Sequence, residues 1–151
     1  MRFRRGLCVV CSAGGHLSEA LAALAETTED ACFVTKSEEH VDGRLRGACV
    51  YYVADPHRSL WIYLKNFLQS FLIFVRERPR VIFTTGAGIA ISMCLIGWLW
   101  GTKIVFLESG ARVADLSRTG KFLYRFSDAF YVQWPQLVTR YPRALYVGRL
   151  Q

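Results

Sequence analysis

The feature that most constrains the fold is a repeated order in which a short apolar run ends in a turn and a helical pattern follows. The clearest case is Leu7–Cys11, which ends in Ser-Ala-Gly-Gly before apolar residues recur at helical spacing from Leu17 to Ala25. Strands that alternate with helices predict a mostly parallel sheet with helices on both faces. We therefore expect an α/β fold.

The whole chain follows this order. Its 151 residues have the length of one domain, and no repeat, low-complexity tract or linker divides residues 1–151. The charged segment Ser37–Arg46 is compatible with a short helix. The predicted strands are Leu7–Cys11, Ala31–Thr35, Val50–Val53, Val81–Thr85, Lys103–Leu107, Ala129–Gln133 and Ala144–Val147. Longer helices are predicted from about Leu17 and over Leu60–Arg78, Ile89–Trp100 and Leu116–Phe126.

Two segments raise the question of a membrane-spanning helix. Val81–Thr102 contains no charged residue and is long enough to cross a bilayer. The segment contains Thr-Thr-Gly-Ala-Gly and changes from β-branched to helical character, which favours a strand, a turn and a helix. A membrane-spanning helix is the alternative. The basic segment Met1–Arg5 precedes an apolar run that is too short for a signal peptide or a spanning helix.

Composition points to a partner or a membrane surface. The chain has a formal charge of +7, which favours a polyanionic partner, and it is 52% hydrophobic and 14% aromatic. That is more apolar surface than a domain of this size easily hides. Nucleic acid is disfavoured because no RNP, zinc-finger or helix-turn-helix signature is present.

The helix predicted over Leu60–Arg78 has two interpretations. It is either a large buried crossover helix or an interfacial helix whose aromatic residues and cations rest on an anionic bilayer. In the second case the expected membrane contacts are Trp61, Lys65, Phe67, Phe71 and Arg76.

The five cysteines are odd in number and lie mostly in apolar runs, which is typical of reduced core residues in a cytosolic protein. Cys8 and Cys11 have redox spacing. On a strand, however, their side chains point to opposite faces, which argues against a thioredoxin-like role.

Candidate site residues follow the predicted strands. In an open parallel sheet, ligands bind beyond the carboxyl ends of the strands, so the loops there should line one crevice. These loops contain Ser12, Gly14, Gly15 and His16, then Thr85, Gly86 and Gly88, then Glu108, Ser109, Gly110 and Arg112, and finally Gln133 and Trp134.

The Gly14-Gly15 pair lets the backbone approach a ligand and directs free N–H groups at an anion, or it is a plain tight turn. It lacks the spacing of a dinucleotide-binding G-x-G-x-x-G loop. Glu19, expected in the first helical turn, would repel a phosphate there. The missing dinucleotide spacing and the carboxylate of Glu19 together favour a site for a neutral sugar or hydroxyl acceptor over one for a pyrophosphate.

Two residues are candidate acid–base groups. His16 could act as a general base, a role that histidine often has in enzymes, although a lone histidine at a helix start also serves as a hydrogen-bonded capping residue. Glu108 ends an apolar strand, where a buried carboxylate is costly. Arg112 is expected to pair with Glu108 or Asp115, or to hold an acidic ligand.

Several stretches together resemble a known family: "SAGGHLSEAL", "VIFTTGAGIAISMCLIGWL", "KIVFLESGARVADLSRTGKFLYRFSDAFYVQWPQL" and "YPRALYVGRL". They are similar to the acceptor-side subunit of the two-component UDP-GlcNAc transferase of dolichol-linked oligosaccharide synthesis and to its bacterial PssD/CpsF-type exopolysaccharide counterparts. The Gly-Gly-His loop is shared more loosely with the MurG glycosyltransferases.

The resemblance implies a Rossmann-like domain equivalent to the N-terminal, acceptor half of a GT-B glycosyltransferase. It implies an inverting, metal-independent enzyme subunit that needs no cofactor and recruits a UDP-sugar-binding partner. The acceptor would be a polyprenyl-diphosphate-linked glycan on the cytoplasmic side of the membrane. The family's functional positions correspond to Gly14, Gly15, His16, Thr85, Gly86, Gly88, Glu108, Ser109, Arg112, Gln133 and Trp134.

Two departures qualify the resemblance. Eukaryotic members usually have an N-terminal membrane helix, so attachment is expected from Leu60–Arg78 instead. Leu17 stands where a threonine commonly follows the glycine loop. We expect His16, and after it Glu108, to be the base. The alternatives are a non-catalytic membrane scaffold for the partner and a stand-alone nucleotide-binding enzyme.

Overall fold

A computed structural model describes residues 6–25, 27 and 30–150, so the predictions for Met1–Arg5 lie outside the described residues. Seven strands form one sheet in the order β3-β2-β1-β4-β5-β6-β7, and every neighbouring pair is parallel. The α/β prediction is confirmed. The strands are β1 Leu7–Cys11, β2 Ala31–Thr35, β3 Cys49–Tyr52, β4 Val81–Gly86, β5 Lys103–Leu107, β6 Ala129–Val132 and β7 Ala144–Tyr146.

Within the described residues, six helices connect the strands: α1 Gly15–Ala23, α2 Val41–Arg44, α3 Leu60–Glu77, α4 Ala90–Leu99, α5 Arg118–Leu123 and α6 Pro135–Arg140. The predicted helix over Leu116–Phe126 is too long, because the Ser117 side chain caps α5 by accepting a hydrogen bond from the Gly120 N–H. Helix α6, which has six residues and begins at Pro135, was not predicted from the sequence. Its shortness leaves little periodicity to detect.

Both faces of the sheet are covered by helices. The first face packs against α3, α4, α5 and α6, and the second packs against α1 and α2. Cys8 lies in the first layer and Cys11 in the second, so the prediction that they face opposite sides is confirmed. All five cysteines are free.

Strand order determines where the loops meet. The chain proceeds from β1 outward to β3 and then returns to place β4 on the other side of β1. The connections after β1 and β4 therefore diverge from neighbouring strand ends, which is the switch point where open α/β sheets bind ligands. The loops after β5 and β6 adjoin the same edge.

Val81–Thr102 divides into β4 and α4, as predicted. Within the residues that the structure describes, no helix combines the length and the apolar character needed to cross a bilayer.

The long helix α3 has two different faces. Its inner face is buried and includes Asn66, Ser70, Ile73, Phe74 and Glu77. What we call its outer apolar face is exposed and consists of Leu60, Trp61, Leu64, Leu68 and Leu72. Because the inner face packs as a crossover helix and the outer face is open, α3 has the features of both interpretations.

Helix α3 ends at a strained residue, which gives a first prediction. Arg78 has φ 43° in the left-handed region, and its N–H bonds to the Phe74 carbonyl. A side chain in this region costs ~1 kcal/mol, which glycine avoids. Arg78→Gly should therefore raise the free energy of unfolding by ~1 kcal/mol in urea denaturation.

The matched control is Lys65→Gly, an exposed position inside the same helix. Glycine should lower stability there by ~1 kcal/mol. A loss of stability at both positions would contradict the strain at Arg78.

Candidate functional site

A cleft of about 600 Å³ opens at the carboxyl edge of the sheet. Helix α1 contributes His16, the turn after β4 contributes Ala87, and most of the remaining wall comes from the segment 108–121 that follows β5. The structure thus brings His16, Glu108, Ser109 and Arg112 to one place. We call this space the cleft.

Glu108 organises the wall of the cleft. Its side chain, in a residue only 1% exposed, accepts hydrogen bonds from the Ser109 N–H (3.1 Å), the Ser117 N–H (2.9 Å) and the Ser117 hydroxyl (3.0 Å). Burial raises the pKa of Glu108, although these bonds and the charge of Arg112 act in the opposite direction. The carboxyl group therefore fastens both ends of the 109–117 loop to the end of β5.

Packing at Gly120 explains why this arrangement needs a glycine. A Cβ atom built there would lie 2.1 Å from Oε2 of Glu108 and 2.9 Å from the Ser117 hydroxyl oxygen. Ser117 thus bonds to Glu108 and also caps α5. Because both side chains lie against Gly120, no larger residue fits at position 120. Neither Ser117 nor Gly120 was predicted from the sequence as a site residue. The serine three positions before Gly120, at the start of a helical stretch, was the available signal.

His16 occupies the first turn of α1 but does not cap it. The cap residue is Gly14 at φ 80°, where glycine's freedom is required. The Nδ1 atom of His16 is buried and makes no hydrogen bond to a described residue. The ring lies against Gly86, where a Cβ atom would approach Cε1 to 3.8 Å, and the Thr85 hydroxyl donates to the His16 carbonyl at 2.9 Å.

The position of Glu19 differs from the prediction that it lies in the first turn of α1. Because α1 begins at Gly15, Glu19 lies in its second turn, and the first turn contains no acidic residue. The carboxylate instead crosses to the turn after β5, where Oε1 accepts the Gly110 N–H at 2.7 Å and the Ser109 hydroxyl at 3.2 Å. The prediction that Glu19 lies in the first turn and repels a phosphate there is therefore wrong.

Gln133 and Trp134 form hydrogen bonds with the backbone of the cleft wall. Gln133 is 1% exposed, and its Nε2 donates to the Glu108 carbonyl at 3.1 Å while its Oε1 accepts the Leu150 N–H at 2.9 Å. The indole N–H of Trp134 donates to the Gly110 carbonyl at 2.7 Å. Neither residue lines the cleft.

The glycines predicted to shape the site differ in their surroundings. Gly14 and Gly15 are exposed at the start of α1, and Arg44 donates to the Gly14 carbonyl at 3.3 Å. Gly88 faces α3 instead, since a Cβ atom there would lie 3.4 Å from the Tyr63 hydroxyl oxygen. Gly14 and Gly15 precede His16, which lines the cleft, whereas Gly88 packs against Tyr63.

The basic residues at the cleft rim act on two carboxyl groups, those of Asp115 and Glu108. Asp115 bonds to Lys121 and to the Tyr141 hydroxyl (2.5 Å), with Arg140 at 3.5 Å. The bond from Lys121, followed by that from Tyr141, holds the pKa of Asp115 well below its usual range. These groups take the place of the expected Arg112–Asp115 pair. Arg112 lies on the cleft, with its charge acting on Glu108.

Among residues 6–25, 27 and 30–150, no group of three or more His, Cys, Asp and Glu side chains is arranged to hold a metal ion.

Residues 53–150 match the family described as "Oligosaccharide biosynthesis protein Alg14 like". The chain belongs to this Alg14 family. Among curated relatives, the UDP-N-acetylglucosamine transferase subunit alg14 of Schizosaccharomyces pombe is 48% identical over 75 residues, which cover 46% of this chain and 36% of the relative. The human ALG14 subunit is 36% identical over 98 residues, covering 61% and 42% of the two chains.

A more extended match joins this Alg14-family chain to the ALG14 subunit of Candida albicans, with 28% identity over 171 residues, 95% of this chain and 77% of the relative. The chain spans less than half the length of the Schizosaccharomyces pombe and human relatives that it matches.

Solved structures confirm the Rossmann-like fold. MurG of Acinetobacter baumannii superposes with a TM-score of 0.69 at 16% identity, covering 85% of this chain and 42% of MurG. The UDP-GlcNAc 2-epimerase of Methanocaldococcus jannaschii gives 0.66 at 14% identity, covering 95% and 45%. The Alg14-family chain therefore has the fold of less than half of each of these proteins.

The tight space at Gly120 gives the second prediction. Gly120→Ala should displace Glu108 from Ser117 and lower the free energy of unfolding by ~2 kcal/mol, because a buried charged group loses its hydrogen bonds. Urea denaturation followed by circular dichroism measures this change.

Gly43→Ala in α2 is the matched control, since its Cβ atom would meet nothing within 4 Å. It should be neutral or stabilise by up to ~1 kcal/mol. Equal stability of the two variants would rule out the packing role of Gly120.

Proposed function

We propose that this chain is the acceptor-binding subunit of an inverting, metal-independent glycosyltransferase. The observation that carries the proposal is the cleft, in which His16 faces the loop held by Glu108 at the carboxyl edge of the sheet. The relatives are named UDP-N-acetylglucosamine transferase subunits, which supports UDP-N-acetylglucosamine as the donor. The proposed acceptor is a polyprenyl-diphosphate-linked glycan.

The reaction needs one base. An acceptor hydroxyl oxygen forms a bond to the anomeric carbon while the bond to UDP breaks and UDP leaves with its electron pair. The hydroxyl proton must pass to the enzyme. His16 is the better candidate because it lines the cleft, whereas both oxygens of Glu108 already accept hydrogen bonds from the loop.

We assign Glu108 the role of holding Ser109 and Arg112 at the cleft. Ser109 and Arg112 would bind the acceptor, Gly14 and Gly15 would let it approach the start of α1, and Thr85 with Gly86 would set the position of His16. Gln133, Trp134 and Gly88 would contribute through packing and hydrogen bonds rather than by contact with the acceptor.

A separate subunit would supply the UDP-sugar site. The relatives are named as subunits of a transferase, which supports a separate partner for this chain. Part of the second sheet face is open beside α1, where Phe83, Val105 and Tyr131 line an apolar depression. This area supports docking of the donor-binding subunit, because apolar surface of this kind is typical of protein interfaces.

The outer apolar face of α3 supports peripheral attachment to a membrane. Trp61 is 81% exposed, and Leu64, Leu68 and Leu72 continue the same face. Of the predicted contacts, Trp61, Lys65, Phe67 and Arg76 are exposed, whereas Phe71 is half-buried and packs edge-on against Trp100. We further propose the cytoplasmic face, since five free cysteines suit a reducing compartment.

The third prediction tests catalysis. In a complex with the UDP-sugar-binding subunit, His16→Ala should lower the rate of N-acetylglucosamine transfer to a polyprenyl-diphosphate glycan at least ~100-fold, because general-base catalysis is lost. Radiolabelled UDP-N-acetylglucosamine gives the rate, and gel filtration checks that the complex forms.

His40→Ala, an exposed histidine at the start of α2, is the matched control and should leave turnover unchanged. Turnover within a few-fold of normal in His16→Ala, with the complex intact, would falsify the assignment of the base. Unchanged turnover in a Glu108→Gln variant as well would favour the non-catalytic scaffold.

The fourth prediction tests the membrane surface. Replacing Trp61, Leu64 and Leu68 by Ser should lower the fraction of protein that floats with phosphatidylserine-containing vesicles ~10-fold, because the insertion of apolar side chains drives interfacial binding. These residues are exposed, so the fold should survive, as circular dichroism will show.

Leu145→Ser with Val147→Ser, two exposed apolar residues at the opposite edge of the sheet, is the control and should float normally. Equal flotation of the triple variant and this control would exclude α3 as the attachment surface.

A further inference from the structure

We propose that Glu19 is a positioning residue, which sets the distance between His16 and the turn at Ser109 and Gly110. The inference rests on the proposed function in that it assigns His16 the role of base. Glu19 does not line the cleft, so it acts through the residues that do.

Contacts of the Glu19 carboxylate join three parts of the chain. Oε1 accepts hydrogen bonds from the Gly110 N–H at 2.7 Å, the Ser109 hydroxyl at 3.2 Å and Nε2 of Gln133 at 3.3 Å. The carboxylate thus links α1 to the turn after β5 and to the residue after β6. All of these partners adjoin the wall of the cleft.

The position of Glu19 on α1 makes this link relevant to His16. Residues three apart on a helix lie on neighbouring parts of one face, so His16 and Glu19 move together with the helix. The Thr85 hydroxyl holds the His16 carbonyl against β4 at 2.9 Å. Glu19 adds a second attachment one turn further along, which fixes the helix relative to Ser109.

The turn at the other end of the link has further contacts with the two residues that follow β6. Trp134 donates to the Gly110 carbonyl at 2.7 Å, and Gln133 donates to the Glu108 carbonyl at 3.1 Å. Because the turn is fixed from β6, removal of Glu19 should move α1 rather than the turn. His16 would then shift relative to Ser109 and to the acceptor bound there.

One atom of Glu19 has no evident stabilising role. Oε2 is buried and has no hydrogen bond to a described residue. A buried acceptor without a partner disfavours folding, so an apolar residue at this position would avoid the penalty. A carboxylate is required only by the contacts of Oε1, which supports a positioning role over a purely stabilising one.

The test is a double-mutant cycle in the complex with the UDP-sugar-binding subunit. Glu19→Ala should lower kcat for transfer at least ~10-fold and leave the KM for the UDP-sugar unchanged, because misplaced catalytic groups reduce turnover while the donor binds to the partner. In a His16→Ala background the same change should lower kcat less than ~2-fold, since Glu19 acts through His16.

Conservative and matched variants separate positioning from folding. Glu19→Gln keeps an oxygen that can accept the Gly110 N–H, so it should retain kcat within ~3-fold. Glu39→Ala, at an exposed position, should have no effect. A ~10-fold loss that persists in the His16→Ala background, or a loss in Glu19→Gln as large as in Glu19→Ala, would overturn the inference.

A measurement without turnover keeps this test apart from that of the proposed function. In NMR spectra of the chain alone, Glu19→Ala should shift the ring signals of His16 and the amide signal of Gly110, whereas Glu39→Ala should shift neither. If no transfer occurs with wild-type protein, the proposed function fails, and the NMR result still decides the positioning role. Unchanged His16 ring signals would refute it.

Discussion

The cleft depends on one buried carboxyl group, that of Glu108 at the end of β5. A charged group without water is costly unless hydrogen-bond donors surround it, and here the donors come from Ser109 and Ser117. Because burial of Glu108 without these donors would be costly, the loop between Ser109 and Ser117 keeps the geometry that supplies them. Gly120 leaves the room that the carboxyl group needs beside Ser117, since a Cβ atom there would collide with Oε2 of Glu108.

A second constraint is the division of α3 into two faces. Its inner face fills the first layer of the core and includes the polar side chains of Asn66 and Ser70, while its outer face presents leucines and Trp61 to the surroundings. The high apolar content of the chain is therefore explained in part by surface rather than by core.

The site is assembled from side chains that are far apart in sequence. Glu19 and Gly110 are separated by 91 positions and His16 and Thr85 by 69, yet each pair is joined by a hydrogen bond. These links run between α1 and the ends of neighbouring strands, so they hold the parts of the wall in register. They also explain how Gln133 and Trp134 contribute to the cleft without lining it.

Sequence alone determined the α/β class, the seven strands and most of the helices, because periodicity and turn residues are local properties. It also indicated His16, Glu108, Ser109 and Arg112, since loops after parallel strands converge. Only the tertiary structure decided that Glu19 crosses to Gly110, that Ser117 and Gly120 fix Glu108, and that Gly88 packs against α3. Those contacts depend on distances between remote segments, which no local pattern encodes.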